Sequence, residues 1–160
     1  MKNPTLVAAG VVAAVLVAIG GWQLAERVSP ADPINAETVV RGQKVYVANC
    51  ASCHGDRLQG QPNWKEQTAE GVLPAPPHDA TGHTWHHPDQ QLFKITKLGV
   101  AALAANYKTN MVGFGDRLPD QEIWDVIAYI KSTWPPDIQE RQRATTKSAA
   151  EQGLGPSGAQ

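Results

Sequence analysis

Two cysteines and one histidine stand close together near the end of the first third of the chain. Cys50, Cys53 and His54 form the pattern C-x-x-C-H, and the sequence has no other cysteine. Two thiols at this spacing can each bond one vinyl group on the same edge of a porphyrin, and the adjacent imidazole can then bind the iron. A gap of two residues is too short for a disulfide that staples a fold. The pattern therefore predicts covalent attachment of one haem c.

Other chemistries use similar residues, and each fits this chain less well. A thioredoxin-like C-x-x-C site needs a strand-rich context and gives no role to His54. A Cys₂His₂ zinc site would have to recruit two later histidines such as His83 and His87, which lie much farther from Cys53 than the usual ~12 to 15 residues. Haem attachment accounts for all three residues of the motif, so it is the favoured interpretation.

The second axial ligand of the iron is predicted to be Met111. A haem that transfers electrons commonly takes a second protein ligand, and His/Met ligation raises the reduction potential. Apart from Met1, Met111 is the only methionine, and nearby Gly113 and Gly115 would let the backbone bring its sulfur to the iron. A lone methionine can also fill a gap in the core. Four histidines are rival ligands or members of a copper or zinc site: His78, His83, His86 and His87.

The first 27 residues are predicted to form a membrane anchor. The run Leu6–Gly21 carries no charge, and Lys2 precedes it. Thr5 and Trp22 extend the run to the short end of the roughly 17 to 25 residues that cross a bilayer. Lys2 favours a cytoplasmic N-terminus, so the rest of the chain would be exported. A signal peptide cleaved near Gly21 is the alternative, and both interpretations place the remaining domain outside the cytoplasm.

Beyond the anchor, the sequence divides into a linker, a helical domain and a tail. Residues 28–35 form a proline-containing linker, 36–135 a haem domain, and 136–160 a polar, disordered tail with at most a frayed helix near 139–147. The stretch 56–84 is rich in Gly and Pro, and a loop this long needs something to organise it, such as a bound cofactor.

Helix signals flank that long loop. Asn35 suits the N-cap of a first helix that ends near the cysteines, and apolar periodicity indicates a last helix over 120–133. A middle helix is expected over about 88–98, because Pro88 suits a helix start and Gly99 suits a stop. One or two helical turns are expected over 100–107. The pattern predicts an all-α domain of three to four helices with long loops.

The charge balance argues against one class of partner. The formal net charge is −1, so the chain has no general basic field and nucleic acid is not an expected partner. A small domain with this much loop buries little apolar surface per residue, and a large cofactor would compensate for that deficit.

With these motifs assembled, the chain resembles the class I cytochromes c, in their small bacterial monohaem group. The resemblance lies in Gly42-x-x-x-Tyr46-x-x-x-Cys50-x-x-Cys53-His54 and in the segment from Met111 through the last helix. It covers about residues 36–134. It implies an all-α class I cytochrome c fold wrapped around one covalent haem, here preceded by an N-terminal transmembrane helix.

The resemblance also implies particular contacts. The first and last helices should cross closely at Gly42, with Val126 and Tyr129 as neighbours. The proximal histidine should donate its other ring N–H to a proline carbonyl, which fixes the ring. Pro76 and Pro77 are both candidates for that carbonyl. The family often has Ser or Thr as the N-cap of the last helix, whereas this chain has Pro119.

The function implied is single-electron transfer without enzymatic activity. Partners would be redox proteins in or at the bacterial inner membrane, with the haem domain in the periplasm as part of a respiratory chain. Two interpretations fit four lysines of the domain equally well: a ring around the haem edge that attracts an acidic partner, or an ordinary solvated surface. The four are Lys65, Lys94, Lys97 and Lys108. Alternatives are a haem subunit of a larger oxidoreductase, a haem enzyme with a labile sixth ligand, or a His-rich metal-handling protein.

Overall fold

A computed structural model describes residue 31 and the ranges 34–104 and 108–153, and its regular structure consists of helices joined by loops. Within those residues the only extended pairing is an isolated antiparallel bridge between Gly99 and Val112. The helices are α1 (Ala36–Asn49), α2 (Ala51–His54), a 3₁₀ turn (Thr84–His86), α3 (Asp89–Leu98), α4 (Val100–Leu103), α5 (Asp120–Ser132) and α6 (Pro136–Glu151). The prediction of an all-α domain is confirmed.

The predicted anchor, residues 1–27, lies outside the described residues, as does most of the linker 28–35. In the part of the chain that the structure does describe, every helix is too short or too polar to cross a bilayer.

The first helix begins where the sequence indicated. The Asn35 side chain accepts a hydrogen bond from the Thr38 backbone N–H at 2.9 Å, which satisfies a donor at the helix N-terminus. The face toward the core carries Thr38, Gly42 and Tyr46, all buried. These three residues are spaced four positions apart, so they lie on one stripe of the helix.

Helices α1 and α5 cross at Gly42. A Cβ built on Gly42 would overlap the Asp125 carbonyl and would lie 2.9 Å from the Tyr129 Cβ, so only glycine allows this approach. Tyr129 was predicted as a neighbour, whereas the closest contact is with Asp125 and not with Val126. The buried Asp125 carboxylate also accepts from Arg41 Nε at 2.7 Å, which joins the two helices by an ion pair.

The core has two apolar clusters that share α5. One contains Leu92, Ile123 and Trp124, and Phe93 stacks on Trp124 with 4.3 Å between ring centroids. The other is built around Tyr46 and Trp134 and also includes Cys50 at its margin. Helix α5 is buried on nearly every face because it lies between the two clusters.

The prediction of a disordered tail over residues 136–160 is wrong for residues 136–151, which are helical. Residues Pro136–Glu151 form α6, which starts with proline in its first turn. Gln142 and Ala149 are buried. The Gln142 amide donates to the His87 carbonyl and to the Asp89 carboxylate. Because α6 packs largely through polar and small side chains, its sequence lacks the apolar periodicity that would have revealed it.

Helix α6 also completes the start of α3. Pro88 is the N-cap of α3 and offers no side-chain hydrogen bond. The Thr146 hydroxyl on α6 accepts from the Asp89 backbone N–H at 3.1 Å instead. The predicted start and end of this middle helix are otherwise confirmed, since it covers Asp89–Leu98 and stops before Gly99.

Candidate functional site

The C-x-x-C-H motif forms a short helical turn at the end of α1. Cys50 departs from regular helix geometry, and Ala51–His54 then form α2, which stops at Gly55 with φ +81°. Both thiols are free; Cys50 is half-buried and Cys53 is exposed. Burial and the neighbouring Cys53 thiol raise the pKa of Cys50 to about 11. The turn thus presents two reduced thiols and the His54 ring within five residues.

His54 is buried and its ring is oriented by a backbone carbonyl. Its Nδ1 lies 2.9 Å from the Pro76 oxygen, so Nδ1–H donates and Nε2 is the nitrogen left to bind a metal. Burial lowers the pKa of His54 despite this hydrogen bond, and a lowered pKa favours the neutral ring that a metal ligand needs. Of the two predicted candidates, the structure selects Pro76; Pro77 does not make this bond.

The long loop is folded back so that Pro76 reaches His54. Gly60 N–H donates to the His54 carbonyl at 2.8 Å, and Gln61 N–H donates to the Ala75 carbonyl at 2.8 Å. The Gln61 side chain accepts in return from Ala75 N–H at 2.8 Å. Gly60 has φ +67°, and a Cβ there would lie 2.5 Å from the Pro77 nitrogen. These contacts hold residues 60 and 61 against residues 75–77, next to the carbonyl that accepts from His54.

His78 lies against His54, a contact that the sequence did not predict. The two rings stack with 4.0 Å between centroids and 22° between planes. Burial and the neighbouring His54 and His83 rings lower the pKa of His78 well below its ordinary value. One feature of the sequence could have predicted this contact. His78 follows Pro76 by two residues, and the Pro76 carbonyl must lie beside His54 to accept its N–H.

Met111 lies in a loop whose backbone is fixed on its C-terminal side. Phe114 N–H donates to the Thr96 carbonyl at 3.0 Å and Gly115 N–H to the Lys97 carbonyl at 2.9 Å. A Cβ on Gly113 would come within 2.8 Å of the Lys97 carbonyl, which explains glycine at this position. Met111 itself is half-buried. These contacts fix the residues that follow Met111, and the binding of Met111 to iron stays a prediction.

The four lysines predicted as a possible ring differ in their surroundings. Lys97 forms an ion pair with Asp120 at 2.7 Å. Lys65 lies over the Trp64 ring at 5.0 Å, and Lys108 lies 3.5 Å from the Glu70 carbonyl oxygen. Three of the four ammonium groups therefore have local partners, and a ring of lysines that attracts an acidic partner stays a prediction.

The residues present fit a haem. Trp85 packs against the cluster that contains Cys50, and its buried indole N–H has no hydrogen-bond partner among the described residues. A cofactor with an acceptor at its edge would satisfy this donor. In the same described ranges, no three His, Cys, Asp or Glu side chains lie close enough together to hold a metal ion.

Comparisons with known proteins place the chain in a family. The cytochrome c family model matches residues 39–134, which is more than half of the chain. A cytochrome c6-like protein from Nostoc sp. (strain PCC 7120 / SAG 25.82 / UTEX 2576) is 26% identical over 102 residues, covering 61% of this chain and 73% of that protein. No solved structure was found to match.

The fold and the site define a haem-binding electron carrier of the class I type. The chain belongs to the cytochrome c family, and the domain that carries the resemblance spans the thiol motif, α3, the Met111 loop and α5.

Proposed function

We propose that the chain carries single electrons on one haem c, bound through Cys50 and Cys53 and ligated by His54 and Met111, within a bacterial periplasmic respiratory chain. The observation that carries this proposal is the His54 ring, buried with Nδ1 hydrogen-bonded to the Pro76 carbonyl and placed directly after two free thiols. That arrangement commits one ring nitrogen to the protein and leaves the other for iron.

Haem c supplies a one-electron couple when bound. The contribution of the chain is to keep the ligands unchanged during transfer: Pro76 holds His54 in one tautomer, and the contacts of Phe114 and Gly115 hold the Met111 loop. A constant pair of ligands limits reorganisation, which favours fast outer-sphere transfer to a protein partner through a small, transient interface.

The proposal is tested first by covalent chemistry. The chain is expressed with haem-maturation machinery, extracted with acid and acetone, and analysed by intact mass and by its reduced-minus-oxidised visible spectrum. We expect one haem mass per chain and a sharp c-type spectrum. Matched Cys50→Ser and Cys53→Ser variants should each lose one thioether. Free thiols and no tetrapyrrole in the wild-type chain would contradict the proposal.

Ligation by Met111 is tested separately with Met111→Ala. Loss of the thioether should open a coordination position, so ferrous iron should bind carbon monoxide readily, while the wild type should not. Val112→Ala is the matched control, because Val112 is the adjacent residue and its side chain is 59% exposed. Equal carbon monoxide binding by wild type and Met111→Ala would show that Met111 is not a ligand.

For its location, we propose a single-pass anchor in residues 1–27 that holds the haem domain on the periplasmic face of the inner membrane, near redox proteins of the same membrane. Support comes from the uncharged run Leu6–Gly21 and the preceding Lys2. Intact-mass analysis of protein extracted from membranes should find these residues retained. A mature chain that begins near Gly21 would contradict the anchor and favour a cleaved signal.

A further inference from the structure

His78 contacts the predicted axial ligand without a role in the electron-carrier chemistry described so far. Its ring stacks on the His54 ring, with 4.0 Å between the centroids. On its edge, Nδ1 lies 2.8 Å from the Thr84 hydroxyl oxygen. That hydroxyl is itself buried and lies 3.4 Å from the Pro77 carbonyl oxygen. The His78 ring is therefore held at its edge while its face covers His54.

The backbone of His78 is fixed as well. Its N–H donates to the Leu58 carbonyl at 2.8 Å, and its carbonyl accepts from the indole N–H of Trp134 at 2.7 Å. Both Leu58 and Trp134 are buried in the cluster that includes Cys50. Since ring and backbone are both restrained, His78 has little freedom to move away from His54.

The two contacts of the His54 ring restrain different movements. The hydrogen bond to Pro76 acts in the plane of the ring and fixes the position of its Nδ1 edge. The stacked His78 ring acts perpendicular to that plane and opposes tilting. We propose that His78 is a positioning residue for His54, which fixes the plane of the axial imidazole and thereby the electronic environment of the iron. This inference rests on the proposed ligation of haem iron by His54.

A histidine suits this task better than an aliphatic residue. A flat ring presents a face to His54, and a ring nitrogen allows the Thr84 hydroxyl to hold that face in place. Leucine would fill a similar volume without a flat face. Phenylalanine would retain the flat face and lose the hydrogen bond, so the two substitutions separate stacking from polarity.

The experiment uses the haem-loaded chain and its His78→Leu, His78→Phe and Thr84→Val variants. The readouts are the g values of the low-spin ferric iron by electron paramagnetic resonance and the haem methyl shifts by proton NMR, both of which depend on the plane of the axial imidazole. His83→Leu is the matched control, because His83 stacks on Trp64 at 5.3 Å rather than on His54.

We expect His78→Leu to shift and broaden these signals most. His78→Phe keeps the flat face but loses the hydrogen bond to Thr84, so it should perturb them less. His83→Leu should leave them unchanged. Thr84→Val should broaden them, since the His78 ring loses its anchor. Wild-type signals in His78→Leu would overturn the inference, as would equal perturbation by His78→Leu and His78→Phe.

Two measurements keep the inference separate from other failures. If His78→Leu does not fold, as judged by circular dichroism, wild-type signals in Thr84→Val overturn the inference. If the wild-type chain carries no covalent haem by intact mass, the proposed function itself fails, independently of His78.

Discussion

The ion pair between Asp89 and Lys131 gives the sharpest test of how this fold is held together. The two charged atoms lie 2.7 Å apart, and the side chains are 0% and 1% exposed. Asp89 also accepts from Gln142, so its carboxylate joins α3, α5 and α6. Replacing Asp89 with Asn preserves the shape of the side chain and leaves the buried Lys131 ammonium facing a neutral amide.

The expected cost follows from burial. Breaking a buried ion pair by neutralising one partner destabilises a protein by about 3–5 kcal/mol, because the other charge stays in the interior. With a urea dependence of about 1.5 kcal/mol per molar, typical of a small domain, the unfolding midpoint should fall by roughly 2–3 M. Asp120→Asn is the matched control. The Asp120–Lys97 pair has the same 2.7 Å separation, but its carboxylate is 58% exposed, so the expected cost is about 1 kcal/mol or less.

The assay is urea unfolding of the haem-loaded chain, followed by circular dichroism with wild type and both variants in parallel. A second variant, Asp89→Leu combined with Lys131→Met, removes both charges and should recover much of the lost stability. If Asp89→Asn costs no more than Asp120→Asn, the assigned role of burial is refuted.

Three further predictions concern α1, the thiols and α6. Gly42→Ala should cost about 1–3 kcal/mol of unfolding free energy through overlap with the Asp125 carbonyl, measured by urea unfolding; a neutral or stabilising effect would contradict the close crossing. Before haem attachment, at pH 8, the Cys50 pKa of about 11 leaves only about one thiolate in a thousand, so mass-resolved alkylation should label exposed Cys53 faster, with the Cys50 rate rising as pH increases; equal rates would oppose this. Truncation after Trp134 removes α6 and should lower the thermal midpoint, whereas an unchanged midpoint would indicate that α6 is dispensable.

Local features of the fold were well predicted from the sequence. The Asn35 cap, the stop at Gly99 and the last helix over 120–133 depend on residues within a few positions of one another, and the structure confirms each one. In the last case the helix ends at Ser132, with Thr133 as its C-cap. Capping and periodicity are local interactions, so a single sequence contains enough information to place them.

Helix α6 was missed for a physical reason. Its buried face uses Gln142 and Ala149 with hydrogen bonds to His87 and Asp89. Polar contacts of this kind depend on which distant groups lie opposite, and they produce no apolar stripe. The same limit applies to the neighbour of Gly42. The Asp125 carbonyl, and not Val126, lies closest to Gly42, because the contact depends on how α1 and α5 cross.

By itself, the sequence determined the chemistry of this protein: two thiols and an imidazole at the spacing of haem attachment, between helices whose signals are local. The tertiary structure decided which partners those groups meet. The carbonyl of Pro76, and not that of Pro77, accepts the hydrogen bond from His54. The His78 ring stacks on the face of the His54 ring. Both contacts depend on how the loop 56–84 folds back on α2. They join residues more than 20 positions apart in the sequence. Such contacts are set by tertiary packing, and the types and spacing of neighbouring residues do not specify them.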